Sequence, residues 1–171
     1  PDATALWHGE NNRITEGGVE VAETSGLHSV MTVPLIVGDY IYGIGSHGQV
    51  RGLLAETGER VWEAEGLTTR NRWGSAYFIQ HEDRYFVYNE NGDLIIAQFN
   101  PDGYVELDRT HLLNPTSRSG YGGARPGSRG RATHGQSDRL VVWSHPAFAN
   151  RHLVLRNDEE IIRVSMDQDD Y

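Results

Sequence analysis

The chain has 171 residues, of which 37% are hydrophobic and 20 are glycines, so it is long enough and apolar enough to fold around a core of its own. Its formal net charge is −9 and it contains no lysine; this acidic balance argues against non-specific nucleic-acid binding, because affinity for phosphate depends on clustered cations. The absence of cysteine excludes disulfides and thiolate chemistry, and no apolar run approaches the roughly 18 residues of a membrane-spanning helix.

The first 26 residues precede the regular part of the sequence. Ala5-Leu6-Trp7 is similar to Arg60-Val61-Trp62 further along, which predicts that this stretch ends a β unit before the first repeat. The chain starts at Pro1 without an initiator methionine, so we expect the natural N-terminus to lie upstream.

An internal repeat with a period of 44 residues follows. The stretch 38–42 aligns with 82–86, and the turn residue Gly48 aligns with Gly92. A weaker third copy begins at Pro146, which aligns with Pro34. The composition of the first two copies predicts four short strands in each, separated by tight turns. The predicted strands are 29–37, 40–45, 49–55 and 60–64 in the first copy, and 76–80, 85–88, 94–99 and 104–107 in the second.

A unit of about 40–45 residues with four strands is the signature of a propeller blade. Continuous apolar runs at 94–97 and 140–143 favour sheets that are packed on both faces. A β-sandwich is the competing all-β fold, but it does not require the period. The predicted fold class is therefore all-β, a β-propeller fragment of four-stranded antiparallel blades, with about two full blades plus partial ones. Because a closed propeller takes roughly four to eight blades, we expect the chain to be part of a longer one.

The repeat also predicts how the chain is divided. The predicted parts are 1–26 as the end of a preceding blade and a linker, 27–65 and 66–112 as two blades, 113–139 as a Gly/Arg-rich loop, and 140–171 as a last, partial blade and tail. The acidic tail at 167–170 is expected near the natural C-terminus.

The turn Ala55-Glu56-Thr57-Gly58, followed by Trp62 four residues after the glycine, resembles the repeat pattern of PQQ-like (pyrroloquinoline quinone) β-propeller proteins. In that family the tryptophan packs between adjacent blades. The similarity extends from Gly26 to Met166 and matches the C-terminal part of a family member. Further stretches that resemble one bacterial branch of the family are Gly26–Met31, Arg84–Phe86, Asn91–Ala97, Trp143–Arg151 and Arg156–Ile162.

The resemblance implies a non-catalytic scaffold or protein-interaction subunit of a larger extracytoplasmic assembly, since most proteins with these repeats bind no quinone and many are exported scaffolds. We therefore expect a periplasmic or otherwise exported protein. Its expected partners are proteins or the remaining blades of the same chain, without nucleic acid and without a transmembrane segment, and peripheral membrane association stays open.

The alternative is a quinoprotein-type oxidoreductase that uses PQQ and calcium. Members of that group have an aspartate base and often an adjacent cysteine pair, and neither is matched in this sequence. The catalytic residues of such an enzyme would have to lie outside this chain. We predict no cofactor, no metal site and no catalytic residue within it.

Polar and aromatic side chains recur at the start of the first strand of each copy. Because the first strand of a propeller blade lines the central channel, these side chains are candidates for a ligand site at the channel mouth. The alternative, which we favour, is that they contact the neighbouring blade and hold the ring together. The candidate residues are His28, Arg72, Trp73, Trp143 and His145.

The spacing of the potential metal ligands does not indicate a metal site. The eight histidines show no His-x-x-x-His or other close ligand pattern. The acidic clusters at 158–160 and 167–170 lack the alternating spacing of a calcium loop. A Gly-x-Gly-x-x-Gly spacing at 43–48 opens no predicted helix and so fails as a dinucleotide fingerprint.

The segment Asn114–Arg139 is rich in glycine and serine and carries five arginines, with Asp138 as its only acid. Segments of this length between β units are usually functional or disordered. We predict that it docks onto an acidic protein surface or a lipid headgroup; the alternative is a variable loop whose arginines offset an acidic rim. The candidate docking residues are Arg118, Tyr121, Arg125, Arg129 and Arg131.

Overall fold

The computed structural model describes residues 3–9, 14–16, 19–21, 26–71, 73–119 and 139–167. Within these ranges every regular element is a β-strand, and every pair of neighbouring strands is antiparallel. The strands are β1 (Ile14–Glu16), β2 (Val19–Val21), β3 (Leu35–Val37), β4 (Tyr40–Ile44), β5 (Val50–Leu54), β6 (Arg60–Ala64), β7 (Ala76–His81), β8 (Arg84–Asn89), β9 (Asp93–Asn100), β10 (Gly103–His111), β11 (Ser117–Arg118), β12 (Leu140–Val141), β13 (Ala147–Ala149), β14 (His152–Arg156) and β15 (Ile161–Ser165).

Strands β3 to β6 form the first sheet, in which each strand pairs with the next one along the chain. The prediction of four strands is confirmed, with one difference: the first strand begins at Leu35 instead of residue 29. Pro34 has no backbone N–H to donate to a ladder. Ser29 lies outside the ladder and donates its hydroxyl hydrogen to the carbonyl oxygen of Ile44 at 2.9 Å. The first strand is therefore short.

Strands β7 to β10 form the second four-stranded sheet, in the same order. The period of 44 residues is also present in the packing of the turns. A Cβ atom at Gly48 would lie 2.0 Å from the carbonyl oxygen of Thr69, and one at Gly92 would lie 1.7 Å from that of Leu113. Both glycines also have positive φ, 87° and 84°. Glycine meets both demands, so each turn can pack directly against the backbone that follows the last strand of its own sheet.

Strands β13 to β15 form the third sheet, which has three strands. Ala149 pairs with His152, which leaves Asn150 and Arg151 as a two-residue turn. Both have positive φ, 49° and 57°, as a type I′ turn requires. This turn takes the position of Gly38 in the first copy, so the alignment of 146–154 with 34–42 is confirmed.

Two apolar clusters lie between the sheets, one on each face of the second sheet. On β9, Ile95 and Ala97 belong to the first cluster and Leu94 to the second, because successive residues of a strand point to opposite faces. This explains the continuous apolar run in β9. The first cluster is Tyr42, Ile44, Val50, Leu67, Ala76, Tyr85, Val87, Ile95, Ala97 and Phe99, and the second is Tyr77, Tyr88, Leu94, Leu113, Val142, Leu153 and Leu155.

Trp62 joins the first sheet to the second, as the resemblance implies. Its indole N–H donates to the carbonyl oxygen of Asn100 at 3.1 Å. Trp7 makes the matching contact one unit earlier, because its indole N–H donates to the carbonyl oxygen of Ala55 at 2.8 Å. Residues 3–9 nevertheless form no strand. Within residues 3–9, the indole of Trp7 also lies against Gly58 of the first sheet's last turn.

Strands β11 and β12 pair with each other at the base of the predicted Gly/Arg-rich loop. Beyond them, the N–H of Ser119 donates to the carbonyl oxygen of Arg139 at 2.8 Å, and the N–H of Arg139 donates to the Ser119 hydroxyl at 3.2 Å. We term residues 117–119 and 139–141 the neck. Residues 120–138 lie outside the described ranges. The predicted loop spans 113–139, and within it residues 117–119 and 139 are paired backbone.

Candidate functional site

Two tryptophans meet where the second and third sheets join. Trp73 precedes β7 and Trp143 follows β12, and both are half-buried. Their ring centroids are 6.4 Å apart at an interplanar angle of 72°, an edge-to-face contact. We term these two residues the tryptophan pair.

Trp143 is held in place by a buried ion pair. Its indole N–H donates to Oε2 of Glu90 at 3.1 Å. The guanidinium of Arg139 donates to both oxygens of the same carboxylate, at 2.8 and 2.9 Å from Nη2 and 3.1 Å from Nε. The Glu90 side chain is fully buried. A charge in this position is tolerated only when it is paired, so Arg139 and Glu90 depend on each other.

Glu90 was not among the residues predicted from the sequence, which indicated only a turn at this point. The residue 44 positions earlier is Ser46, so an acid stands where the first copy has a hydroxyl group. This difference between the copies is the one signal in the sequence that pointed to a special role.

Tyr77 and His145 complete the cluster around the tryptophan pair. Their ring centroids are 4.0 Å apart, and the Tyr77 hydroxyl donates to the carbonyl oxygen of Trp143 at 2.7 Å. Burial raises the pKa of Tyr77, and the negative charge of Glu90 raises it further. The phenol therefore keeps its proton at neutral pH and remains a hydrogen-bond donor.

The backbone of Trp73 has φ +64°, in the left-handed region that a bulky residue rarely adopts. Its N–H donates to the carbonyl oxygen of Ser46 at 2.7 Å, which ties this conformation to a turn of the first sheet. Such conformations cost about 1–3 kcal/mol and persist where the surroundings determine them.

No family model and no curated protein matches the sequence. Among solved structures, the crystal structure of BamB from Moraxella catarrhalis matches 86% of this chain with a TM-score of 0.50 and 15% sequence identity. BamB is a β-propeller, and at this identity the likeness bears on the fold alone. The three sheets of this chain are propeller blades. The chain covers 35% of the BamB chain, about a third of its length.

The cluster therefore lies at the junction of the second and third blades. It brings together three of the five residues predicted for the channel mouth: Trp73, Trp143 and His145. His28 precedes the first blade and lies beside Gly26. Arg72 lies outside the described residues.

Of the predicted docking residues, Arg118 is part of the neck, on β11, where it pairs with Leu140. The other four, Tyr121, Arg125, Arg129 and Arg131, lie outside the described residues. Within the described ranges, no helix is long and apolar enough to cross a membrane.

A second charged network lies where the first and second blades meet. Asp93 accepts hydrogen bonds from His111 at 2.9 Å and Arg109 at 3.0 Å, and Arg109 also donates to the carbonyl oxygen of Gly66, in the segment between the blades, at 2.8 Å. Burial alone would raise the pKa of Asp93, but the hydrogen bonds from His111, Asn89 and Arg109 outweigh it and hold the pKa below its usual value. The hydrogen bond to Asp93 raises the pKa of His111.

The residues at the junction of the second and third blades do not fit a calcium-dependent quinone site. Calcium takes six to eight oxygen ligands, several of them usually carboxylate oxygens. The Glu90 carboxylate beside the tryptophan pair has its oxygens already held by Arg139 and Trp143. In the part of the chain that the structure describes, no three His, Asp or Glu side chains are grouped so as to hold a metal ion.

Proposed function

We propose that this chain is part of a PQQ-like repeat propeller that acts as a non-catalytic scaffold, a protein-interaction subunit of an extracytoplasmic assembly. In this proposal 27–65 and 66–112 are two blades, 113–139 is a docking loop and 140–171 is a partial last blade with its tail. Residues 1–26 are the end of a preceding blade and a linker, and the partners are other proteins or further blades of the same chain. The exported location rests on the resemblance to the family.

The observation that carries the proposal is the neck. It fixes both ends of the segment 120–138 by paired strands, and Arg139 anchors it to the fully buried Glu90. A long segment held at both ends on a rigid blade is the arrangement by which scaffolds present binding loops. The composition of this segment, with three arginines and a single acid, suits an acidic partner surface.

The proposal is tested by shortening the segment without disturbing the neck. Residues 120–138 are replaced by Asn-Gly, which forms a type I′ turn and suits the paired ends Ser119 and Arg139. Protein partners of the full-length protein are identified by crosslinking in the native host, and each is then tested with purified components. We expect an unchanged melting temperature and a weakened association with at least one partner.

An unchanged association with every partner would contradict the docking role of the segment. The quinoprotein alternative is tested on the same protein with PQQ and calcium. A PQQ-dependent oxidation, or a rise in melting temperature that requires calcium, would favour the enzyme over the scaffold. Fractionation of the host cells checks the proposed exported location.

A further inference from the structure

We propose that the third sheet packs against a further blade of the same longer protein, and that carboxylates on that blade pair with Arg156 and Arg163. This junction differs from the two described ones, which are held by apolar clusters. The inference rests on the proposal that the chain is part of a longer propeller, and it adds the chemistry of the surface that comes next.

The third sheet has one packed face and one open face. On β14 Leu155 belongs to the second cluster, and on β15 Ile162 packs against that cluster. Successive residues of a strand point to opposite faces, so Arg156, Ile161 and Arg163 lie on the other side of the sheet, where all three are exposed. We term these three residues the open face.

The open face corresponds to the side on which each of the first two sheets packs against the next. Arg156 ends β14 as Ile44 ends β4, and Tyr88 follows Ile44 by the repeat period of 44 residues. Ile44 belongs to the first cluster and Tyr88 to the second, and they are 1% and 0% exposed. Because a closed propeller takes roughly four to eight blades, a blade of the same protein is the expected cover of the open face.

The two arginines of the open face differ from the other described arginines. Neither forms a hydrogen bond or an ion pair within the described ranges, whereas each of the others interacts with a neighbouring group. Arg156 lies opposite Ile161 and Arg163 lies opposite Val154, so the two arginines are diagonal neighbours. Diagonal neighbours are about 7–8 Å apart, within reach of long side chains. Their like charges repel each other, so carboxylates placed against this face stabilise it.

A blade that covers the open face removes both guanidinium groups from water. A buried charge is tolerated only when it is paired, so a purely apolar cover would leave two charges uncompensated. The junction of the second and third blades already uses the required solution, because Arg139 is paired there with the fully buried Glu90. The covering blade therefore carries carboxylates opposite Arg156 and Arg163, and an apolar side chain opposite the exposed Ile161.

The first test measures how fast each arginine reacts with phenylglyoxal, a reagent specific for guanidinium groups, in the purified full-length protein. Peptide mass spectrometry gives the rate at each position. Arg84, whose side chain is 60% exposed, is the accessible control, and the ion-paired Arg139 is the buried control. We expect Arg156 and Arg163 to react at least about tenfold more slowly than Arg84, because the junction has to open first.

Reaction of Arg156 and Arg163 as fast as that of Arg84 would overturn the inference, because the face would then be uncovered. Slow reaction that appears only after a partner protein is added would also overturn it, since the cover would then belong to another chain. The labelling needs no partner, whereas the shortened variant described above measures partner binding, so the inference and the scaffold function can fail independently.

The second test establishes whether the cover is acidic, again from the labelling rate of Arg163. Arg156→Leu removes one charge, Arg156→Lys keeps it, and Arg84→Leu is the matched control at an exposed arginine of the second blade. Arg156→Leu leaves a buried carboxylate without its partner, so Arg163 should react at least about tenfold faster, while the other two variants should leave its rate within about twofold.

An unchanged or slower reaction of Arg163 in Arg156→Leu would contradict an acidic cover, because an apolar cover packs well against leucine. If Arg156→Leu also speeds the reaction of Arg139, the melting temperature of Arg156→Lys decides between the two. A melting temperature close to that of the unmodified protein supports the ion pair, and one as low as that of Arg156→Leu overturns it.

Discussion

At the residue scale, Glu90 shows how strongly the stability of the fold depends on one buried charge. Its side chain is fully buried, and its carboxylate accepts hydrogen bonds from Arg139 and Trp143. Glu90→Gln removes the fully buried carboxylate that pairs with Arg139, and we expect a loss of about 3 kcal/mol in the free energy of unfolding, because breaking a buried ion pair is strongly destabilising. Denaturant unfolding of the unmodified protein and of Glu90→Gln measures this loss of stability.

The matched control removes both charges. In the double variant Glu90→Gln/Arg139→Met both members of this ion pair are replaced by uncharged residues, so its free energy of unfolding should recover most of the loss seen in Glu90→Gln alone. A double variant that is less stable than Glu90→Gln would show that the ion pair itself, and not the stranded charge, dominates the effect.

His111 should make the stability of the chain depend on pH. The hydrogen bond to Asp93 raises its pKa in the folded protein, so protonation favours folding. This contribution is fully present below about pH 6.5, the usual pKa of an unfolded-chain histidine, and is lost as the pH rises through the folded-state pKa. The side chain is 50% exposed, so the effect should stay within about 1 kcal/mol.

The measurement compares the free energy of unfolding of the unmodified chain with that of His111→Gln between about pH 5 and about pH 9, a range that brackets the usual histidine pKa of about 6.5. The difference between the two should shrink as the pH rises. The neighbouring charges Asp93, Arg109 and Glu106 keep their charge states throughout this interval. A difference that does not change with pH would contradict the role of the imidazolium.

At the scale of elements, the turn glycines separate two requirements for glycine that usually occur together, a positive φ and a lack of space for a Cβ atom. Gly92 combines a positive φ with a Cβ position 1.7 Å from a carbonyl oxygen. Gly38 has a positive φ but nothing within 4 Å of its Cβ position. The second blade has Glu82 at the position of Gly38, with φ 55°, so a side chain is tolerated there.

We therefore expect Gly38→Ala to lower the free energy of unfolding by about 1 kcal/mol and Gly92→Ala to lower it by more than about 3 kcal/mol. Gly9→Ala, with open space around its Cβ position, serves as the control and should have no measurable effect. Thermal unfolding of the three variants provides the comparison. Equal losses at Gly38 and Gly92 would mean that the close approach in the turn is relieved without cost.

The same elements show what the sequence could and could not predict. The strands and turns follow from local chemistry, such as a glycine or asparagine at positions of positive φ. The repeats could therefore be found by aligning positions 34, 38 and 48 with positions 146, 82 and 92. The pairing of Glu90 with Arg139 joins residues 49 positions apart and follows no periodic rule. The neck was missed for a similar reason, since two-residue strands leave too little pattern in the sequence.

At the scale of the whole molecule, the three blades are not equivalent. The second blade packs against an apolar cluster on each face, whereas the first and third each take part in only one of the two clusters. Amides exchange with solvent through local openings, whose free energy rises with the apolar surface that must be exposed. Opening the second blade has to disrupt both clusters, and opening either outer blade disrupts one.

We therefore expect native-state hydrogen exchange of this chain to be slowest in β8 and β9, which contribute buried side chains to both clusters, and faster in β4, β5 and β14, which contribute to one. Trp62→Phe removes the indole hydrogen bond to Asn100 and should speed exchange in the first blade while leaving the third unchanged. Exchange that is equally slow in all three blades would instead mean that they open as one cooperative unit. In a longer protein with further blades on the outer faces, the outer blades of this chain should approach the protection of the second, because each would then have two packed faces.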